Sequence, residues 1–174
     1  METGRISLRV ADAEDSLAIA KLHAVSWQTT YRGLLPDVYL DEEVERERIA
    51  YWAIRMSTPT DADRLALIAE CNGEAAGFVF AERKPESRDG VLLDNLHVSK
   101  HYQGRGLGKL LMDAVEQWTR NLGESRLYLF VLEGNNRAMK FYEQQGWQFA
   151  GSESDQMAGI PVTARRYVRS IAAA

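Results

Sequence analysis

Three glycines alternate through Gln103-Gly104-Arg105-Gly106-Leu107-Gly108, shortly after an apolar run that closes at Val98. Behind them Leu107, Leu111, Ala114, Trp118 and Leu122 recur at helical spacing, supported by Leu110 and Val115. A glycine turn between a buried strand and an amphipathic helix suits an anion. The first helical turn leaves backbone N–H groups unpaired, and the helix dipole favours negative charge there. Glycines let the backbone approach a phosphate without Cβ crowding. Arg105 and Lys109 could add positive charge close by. The plainer alternative is a tight strand-to-helix connection without a ligand. A P-loop is excluded by the missing Gly-Lys-Ser/Thr ending, and Gln103 stands where a dinucleotide fingerprint has its first glycine.

Proton-transfer candidates are Glu70, Asp94 and His97, all on expected central strands and able to accept a proton directly or through water. His97, between Leu96 and Val98, reads equally as a scaffold residue. His97 and His101 are four apart, but on a strand running into a loop, so they do not form the helical i, i+4 pair of a metal site. No metal is expected. Cys71 is the only cysteine, which rules out an internal disulfide and fits a small core residue in a reducing, cytoplasmic setting. Phe141-Tyr142 reads as an aromatic pair packing a helix on a sheet.

The elements that position these groups follow from periodicity. Ile6 to Val10 alternates as a strand. A helix capped by Asp12 or Asp15 runs to Trp27, with Leu17, Ala20, Leu22 and Val25 as buried candidates. After the break at Gly33 and Pro36, a second helix from Asp41 carries Val44, Ile49, Trp52 and Met56 inward. Leu65–Glu70 and Ala75–Phe80 form a hairpin around Asn72-Gly73. Val91–Val98 and Arg126–Leu132 flank the glycine turn and its helix, a strand-helix-strand unit of a parallel pair. A short helix spans about Asn136 to Gln145, and short strands around Trp147–Phe149 and Arg166–Val168 close the chain.

The 174 residues fit a single domain over 1–174, with a composition of 45% hydrophobic and 26% charged residues. No apolar stretch approaches the roughly 20 residues that span a bilayer. A net charge of −4 argues against a large nucleic-acid surface.

The stretch from Leu92 through Gly108 to Leu111 resembles the central strand and acyl-CoA loop of the GCN5-related N-acetyltransferase (GNAT) family. Gln103, Gly106 and Gly108 meet its loop signature. Asn135-Asn136-Arg137-Ala138-Met139-Lys140-Phe141-Tyr142, followed by Gly146-Trp147, resembles the family's later Asn-x-x-Ala segment. Ser26-Trp27 and Tyr31-Arg32-Gly33-Leu34-Leu35-Pro36 are similar to one acetyltransferase subgroup. The resemblance covers nearly the whole chain and implies an α/β fold (α+β in some schemes), a mixed central sheet flanked by helices.

The resemblance implies acetyl-CoA as donor. It assigns pyrophosphate binding to Gln103, Gly104, Arg105, Gly106, Leu107 and Gly108 with Lys109, and pantetheine and thioester positioning to Leu96, His97 and Val98. Asn135 and Ala138 join the cofactor set, although Asn135 alone reads as a helix cap. Tyr142 is implied as the general acid toward the CoA sulfur. Trp27, Tyr31 and Arg32 are implied acceptor contacts, although Tyr31 and Arg32 read equally as braces of the connection between helices. The family's central-strand glutamate is replaced here by the Asp94-Asn95 neighbourhood, which leaves Glu70, Asp94 and His97 as base candidates. The implied reaction is direct acetyl transfer to a primary amine, foremost of a small molecule. A peptide amine, and a noncatalytic acyl-CoA-binding module, are the alternatives. A homodimer is a further expectation.

Overall fold

The computed structural model describes residues 4–59 and 61–172. The chain runs β1 (Ile6–Val10), α1 (Ser16–Thr30), α2 (Asp37–Glu42), α3 (Val44–Ser57), β2 (Arg64–Cys71), β3 (Glu74–Arg83) and β4 (Val91–Val98). It continues with α4 (Leu107–Asn121), β5 (Arg126–Leu132), α5 (Asn136–Gln144), β6 (Gln148–Met157) and β7 (Ile160–Ser170). The seven strands form one sheet in the order β1-β2-β3-β4-β5-β7-β6, and only β4 and β5 pair in parallel. This is the expected mixed sheet flanked by helices.

Each face of the sheet carries its own core. Leu111, Met112 and Val115 of α4 and Tyr142 of α5 pack with Val79, Val91, Leu93 and Leu129 on one side. Ile19 and Ala20 of α1 and Trp52 and Met56 of α3 pack with Ile68, Phe78 and Phe80 on the other. A third cluster ties α1 to the segment after it through Ala24, Leu35, Tyr39, Leu40 and Val44. Asn72 and Gly73 turn the β2–β3 hairpin with φ of 53° and 83°.

Two expectations about helix faces are corrected. Leu17 and Val25 are 48% and 51% exposed, and α1 instead buries Ile19, Ala20, His23 and Ala24. His23 turns inward because the Trp52 indole N–H donates to its Nδ1 at 2.9 Å, which satisfies a buried polar atom. On α4, Leu110 is 39% exposed. The closing strands are also longer than the apolar pattern suggests. β6 and β7 form a hairpin of ten and eleven residues, turned by Ala158 and Gly159, with β7 inserted between β5 and β6.

Two irregularities in β4 shape the molecule. Ala81 pairs with Leu93 and Phe80 with Asn95, so Asp94 has no partner and forms a bulge. The extra residue shifts the phase of the strand. Before it Val91 and Leu93 face the α4 core; after it Leu96 and Val98 do, and His97 turns to Phe78 and α1. Second, β4 pairs with β5 only through Val91–Leu127 and Leu92–Tyr128. Beyond these pairs β5 stays with β7 and β4 with β3, so the sheet opens between them.

Candidate functional site

A cleft of about 710 Å³ occupies that opening. It is walled by α1, the outer half of β4, the glycine turn, the start of α4, β5 and α5. Sequence-expected residues Leu96, His97, Val98, Gln103, Gly104, Gly106, Leu107, Gly108 and Lys109 all line it, as do Asn135, Ala138 and Tyr142. Trp27, Tyr31 and Asp94 line it as well.

The glycine turn has the geometry of an anion cradle. Gly104 and Gly106 have φ of 78° and 82°, left-handed values that a residue with a Cβ adopts at a cost. No side chain caps α4, and its first intrahelical bond runs from Leu110 N–H to the Gly106 carbonyl at 3.0 Å. The N–H groups of Leu107, Gly108 and Lys109 precede that bond and have no partner in the helix. Gly108 serves packing: a Cβ there would lie 3.2 Å from Phe141 Cζ, so the missing side chain lets α4 and α5 approach. Gln103 ties the turn back to β4, its Nε2 donating to the Val98 carbonyl at 3.1 Å.

Tyr142 lines the same cleft as the turn. Its ring is 8% exposed, packed edge-on against Phe141 and Trp147. Burial raises its hydroxyl above the ordinary tyrosine range, and neighbouring Tyr31 adds to the effect. Burial likewise raises Tyr31 to about 12, against the opposing effect of the Asn135 side chain beside its hydroxyl. Asn135 caps α5, its Oδ1 accepting from Ala138 N–H at 3.2 Å. The α1–α2 link folds over this turn, since a Cβ on Gly134 would meet Leu34 Cδ2 at 2.7 Å.

On the α1 side, His97 Nδ1 lies 2.8 Å from Ser26 Oγ, and its ring sits 4.6 Å from that of His23. Burial lowers His97 to about 4, so it is neutral at pH 7. His23 is pushed down first by burial and then by His97 and Arg48. Because Nδ1 of His23 accepts from an indole N–H that can only donate, its neutral form carries the proton on Nε2. His23 and Ser26 were not among the expected site residues. Histidine on a helix counts as outward in a hydrophobic pattern, and only the Trp52 bond reveals that this one faces in.

Four expected site residues are placed differently. Glu70 lies outside the cleft, two strands from β4, where Arg9 Nε holds its Oε1 at 2.6 Å. Arg32 points away as well, paired with Asp37 and Asp41 so that it braces α2 to the end of α1. Arg105 is absent from the lining, its guanidinium 5.4 Å from the Tyr102 ring centroid. Asp94 reaches the cleft but is engaged, with Arg55 Nη2 2.7 Å from its Oδ2. Burial raises its carboxyl despite that arginine. Lys109 lines the cleft with its ammonium 2.6 Å from Asp113. Among the described residues no helix is long and apolar enough to cross a membrane, and no group of three metal-ligand side chains converges.

An uncapped glycine-rich helix start, a splayed parallel strand pair and a buried tyrosine thus line one cleft. The family model "Acetyltransferase (GNAT) family" matches residues 20–147, and the chain belongs to that family. The probable spermine N(1)-acetyltransferase of Bacillus subtilis subsp. natto is 38% identical over 85 residues, 45% of this chain and 56% of that protein. The chain thus matches little more than half the length of that relative. The mycothiol acetyltransferase of Jonesia denitrificans is 30% identical over 143 residues, 79% of this chain and 40% of that one. The paiA N-acetyltransferase of Thermoplasma acidophilum, solved with coenzyme A, shares the fold at TM-score 0.71 and 19% identity, over 95% of this chain and 99% of that one.

Proposed function

We propose that the chain, with residues 1–174 acting as one domain, is an acetyl-CoA-dependent N-acetyltransferase that acylates a primary amine of a small molecule by direct transfer. The observation that carries this reading is that an uncapped glycine-rich helix start and the buried Tyr142 line one cleft at the β4–β5 opening. Relatives named for spermine and mycothiol acetylation support a small acceptor.

The residues present suit the donor. Backbone N–H groups from Leu107 to Lys109 are free to bind a pyrophosphate, and Leu96 to Val98 offer a strand edge that β5 leaves unpaired. Acetyl-CoA would supply an activated carbonyl and a thiolate leaving group. Tyr142, protonated at pH 7, donates its proton to the departing sulfur. His97, neutral and joined to Ser26, takes the proton released as the amine nitrogen forms its bond to carbon. Holding the reactants aligned in a walled cleft contributes much of the rate. Asp94 and Glu70 have no part in the proton transfer, both being held by arginines.

The test is release of CoA thiol from acetyl-CoA across a panel of amines, amino acids and peptides, with product mass. The reading expects acceptor-dependent release and a product heavier by one acetyl group. Folded protein that binds acetyl-CoA yet shows no acceptor-dependent release would instead mark a noncatalytic acyl-CoA-binding module.

A further inference from the structure

The acceptor side of the cleft is rich in rings and poor in free negative charge. Asp94 is the one carboxylate among the lining residues, and Arg55 binds it while also reaching Glu82 at 3.2 Å. Arg48 and Arg55 stand two helical turns apart on α3, so they share a face, with Tyr51 between them. The Arg48 guanidinium lies 4.5 Å from the centroid of Trp27 and 4.7 Å from that of Tyr51. Among the described residues Arg48 forms no ion pair, and its Nε is buried without a hydrogen-bond partner. Its charge acts on His23, which lines the cleft.

We propose that the acceptor is a monoamine with an apolar or aromatic body, and that the unpaired charge of Arg48 selects against diamines and polyamines. The inference rests on the acetyltransferase reading and names the substrate class of that site. The reacting amine sheds a proton before it attacks, and the charge its nitrogen regains on bonding to carbon lasts only until His97 takes the second proton. A second ammonium keeps its charge, and the cleft offers it no free carboxylate. A ring face can attract a cation, but Arg48 already stacks on Trp27. Trp27 and Tyr31 therefore present apolar surface to the acceptor body, and repulsion from Arg48 sets the specificity.

The test compares kcat/KM for hexylamine and phenethylamine with that for 1,6-diaminohexane and spermidine. Hexylamine and 1,6-diaminohexane differ only by the second amine. Arg48 stands behind Trp27, 4.5 Å from the ring centroid and outside the lining itself, and a unit charge at that remove gives a preference of roughly tenfold or more for hexylamine. Arg48→Gln should narrow the hexylamine-to-diaminohexane ratio severalfold, while Arg48→Lys, which keeps the charge, should preserve it. Equal or better use of 1,6-diaminohexane or spermidine by the wild-type protein overturns the inference, as does an unchanged ratio in Arg48→Gln. Those outcomes leave the acetyltransferase reading standing. Absence of turnover with every amine overturns both.

Discussion

Replacing Tyr142 by Phe isolates one hydroxyl. The ring is held by edge contacts to Phe141 and Trp147 at centroid distances of 5.2 and 5.7 Å, which phenylalanine retains. Among the described residues no protein group forms a hydrogen bond to the Tyr142 hydroxyl. Stability should therefore change by less than about 1 kcal/mol. General acid catalysis contributes about 10²- to 10⁴-fold, and a thiolate, with a thiol pKa near 8.5, needs less assistance than an alkoxide. The expected loss in kcat thus sits at the low end, roughly 30- to 300-fold, or about 2 to 3.4 kcal/mol of barrier. The amides proposed to hold the pyrophosphate belong to residues 104–109 and not to Tyr142, so the acetyl-CoA dissociation constant should stay within about twofold. Steady-state thiol release, calorimetric titration with acetyl-CoA and a thermal melt separate the three quantities. A variant with unchanged kcat, or one losing affinity as steeply as turnover, would refute the acid role.

Gly106→Ala must place an alanine at φ of 82°, costing about 1 to 2 kcal/mol, while its Cβ meets no atom within 4 Å of the protein. The methyl group and the altered turn should weaken acetyl-CoA binding about tenfold or more, measurable by titration, whereas unchanged affinity would remove the turn from the donor site. Glu70→Gln should leave kcat and both KM values untouched, because it breaks only the partly exposed contact with Arg9; a melting shift of about 1 to 4 °C is the expected limit. His97, lowered to about 4 from 6.5, binds its proton later in the folded state than in the unfolded one as pH falls. The unfolded chain therefore holds more protons between those values, and stability should drop by up to a few kcal/mol from pH 6.5 toward 4. His23 acts in the same direction, and Asp94, raised in the fold, partly opposes both. Denaturant melts of His97→Gln should show a shallower acid decline than the wild type, and an equal slope would contradict the assignment.

The glycine turn and the α5 cap that line the cleft were legible because their geometry is local. The turn from Gln103 to Gly108, the helix behind it and the Asn135 cap depend on near-neighbour residues and keep their meaning in any fold of this order. The proton-transfer groups were harder because their facing depends on strand register. The bulge at Asp94 inverts the phase of β4, so alternation alone could not reveal that His97 turns toward Ser26 and α1. Glu70 has the right chemistry on a strand two places removed, and its arginine partner comes from β1. Arg32 looked like an acceptor contact within an aromatic segment, while Asp37 and Asp41, five and nine residues on, were its partners. The β6–β7 hairpin was understated because Ser152 to Gln156 is polar and exposed throughout, leaving no hydrophobic alternation to read.

Backbone hydrogen exchange with and without acetyl-CoA tests donor binding most directly, since the proposed donor contacts are particular amides. Added acetyl-CoA should slow exchange at Gly104 to Lys109 and along Leu96 to Val98, with β2 and the β6–β7 hairpin unaffected. Saturating acetyl-CoA that leaves the 104–109 amides unprotected, or protects a different face of the sheet, would contradict it.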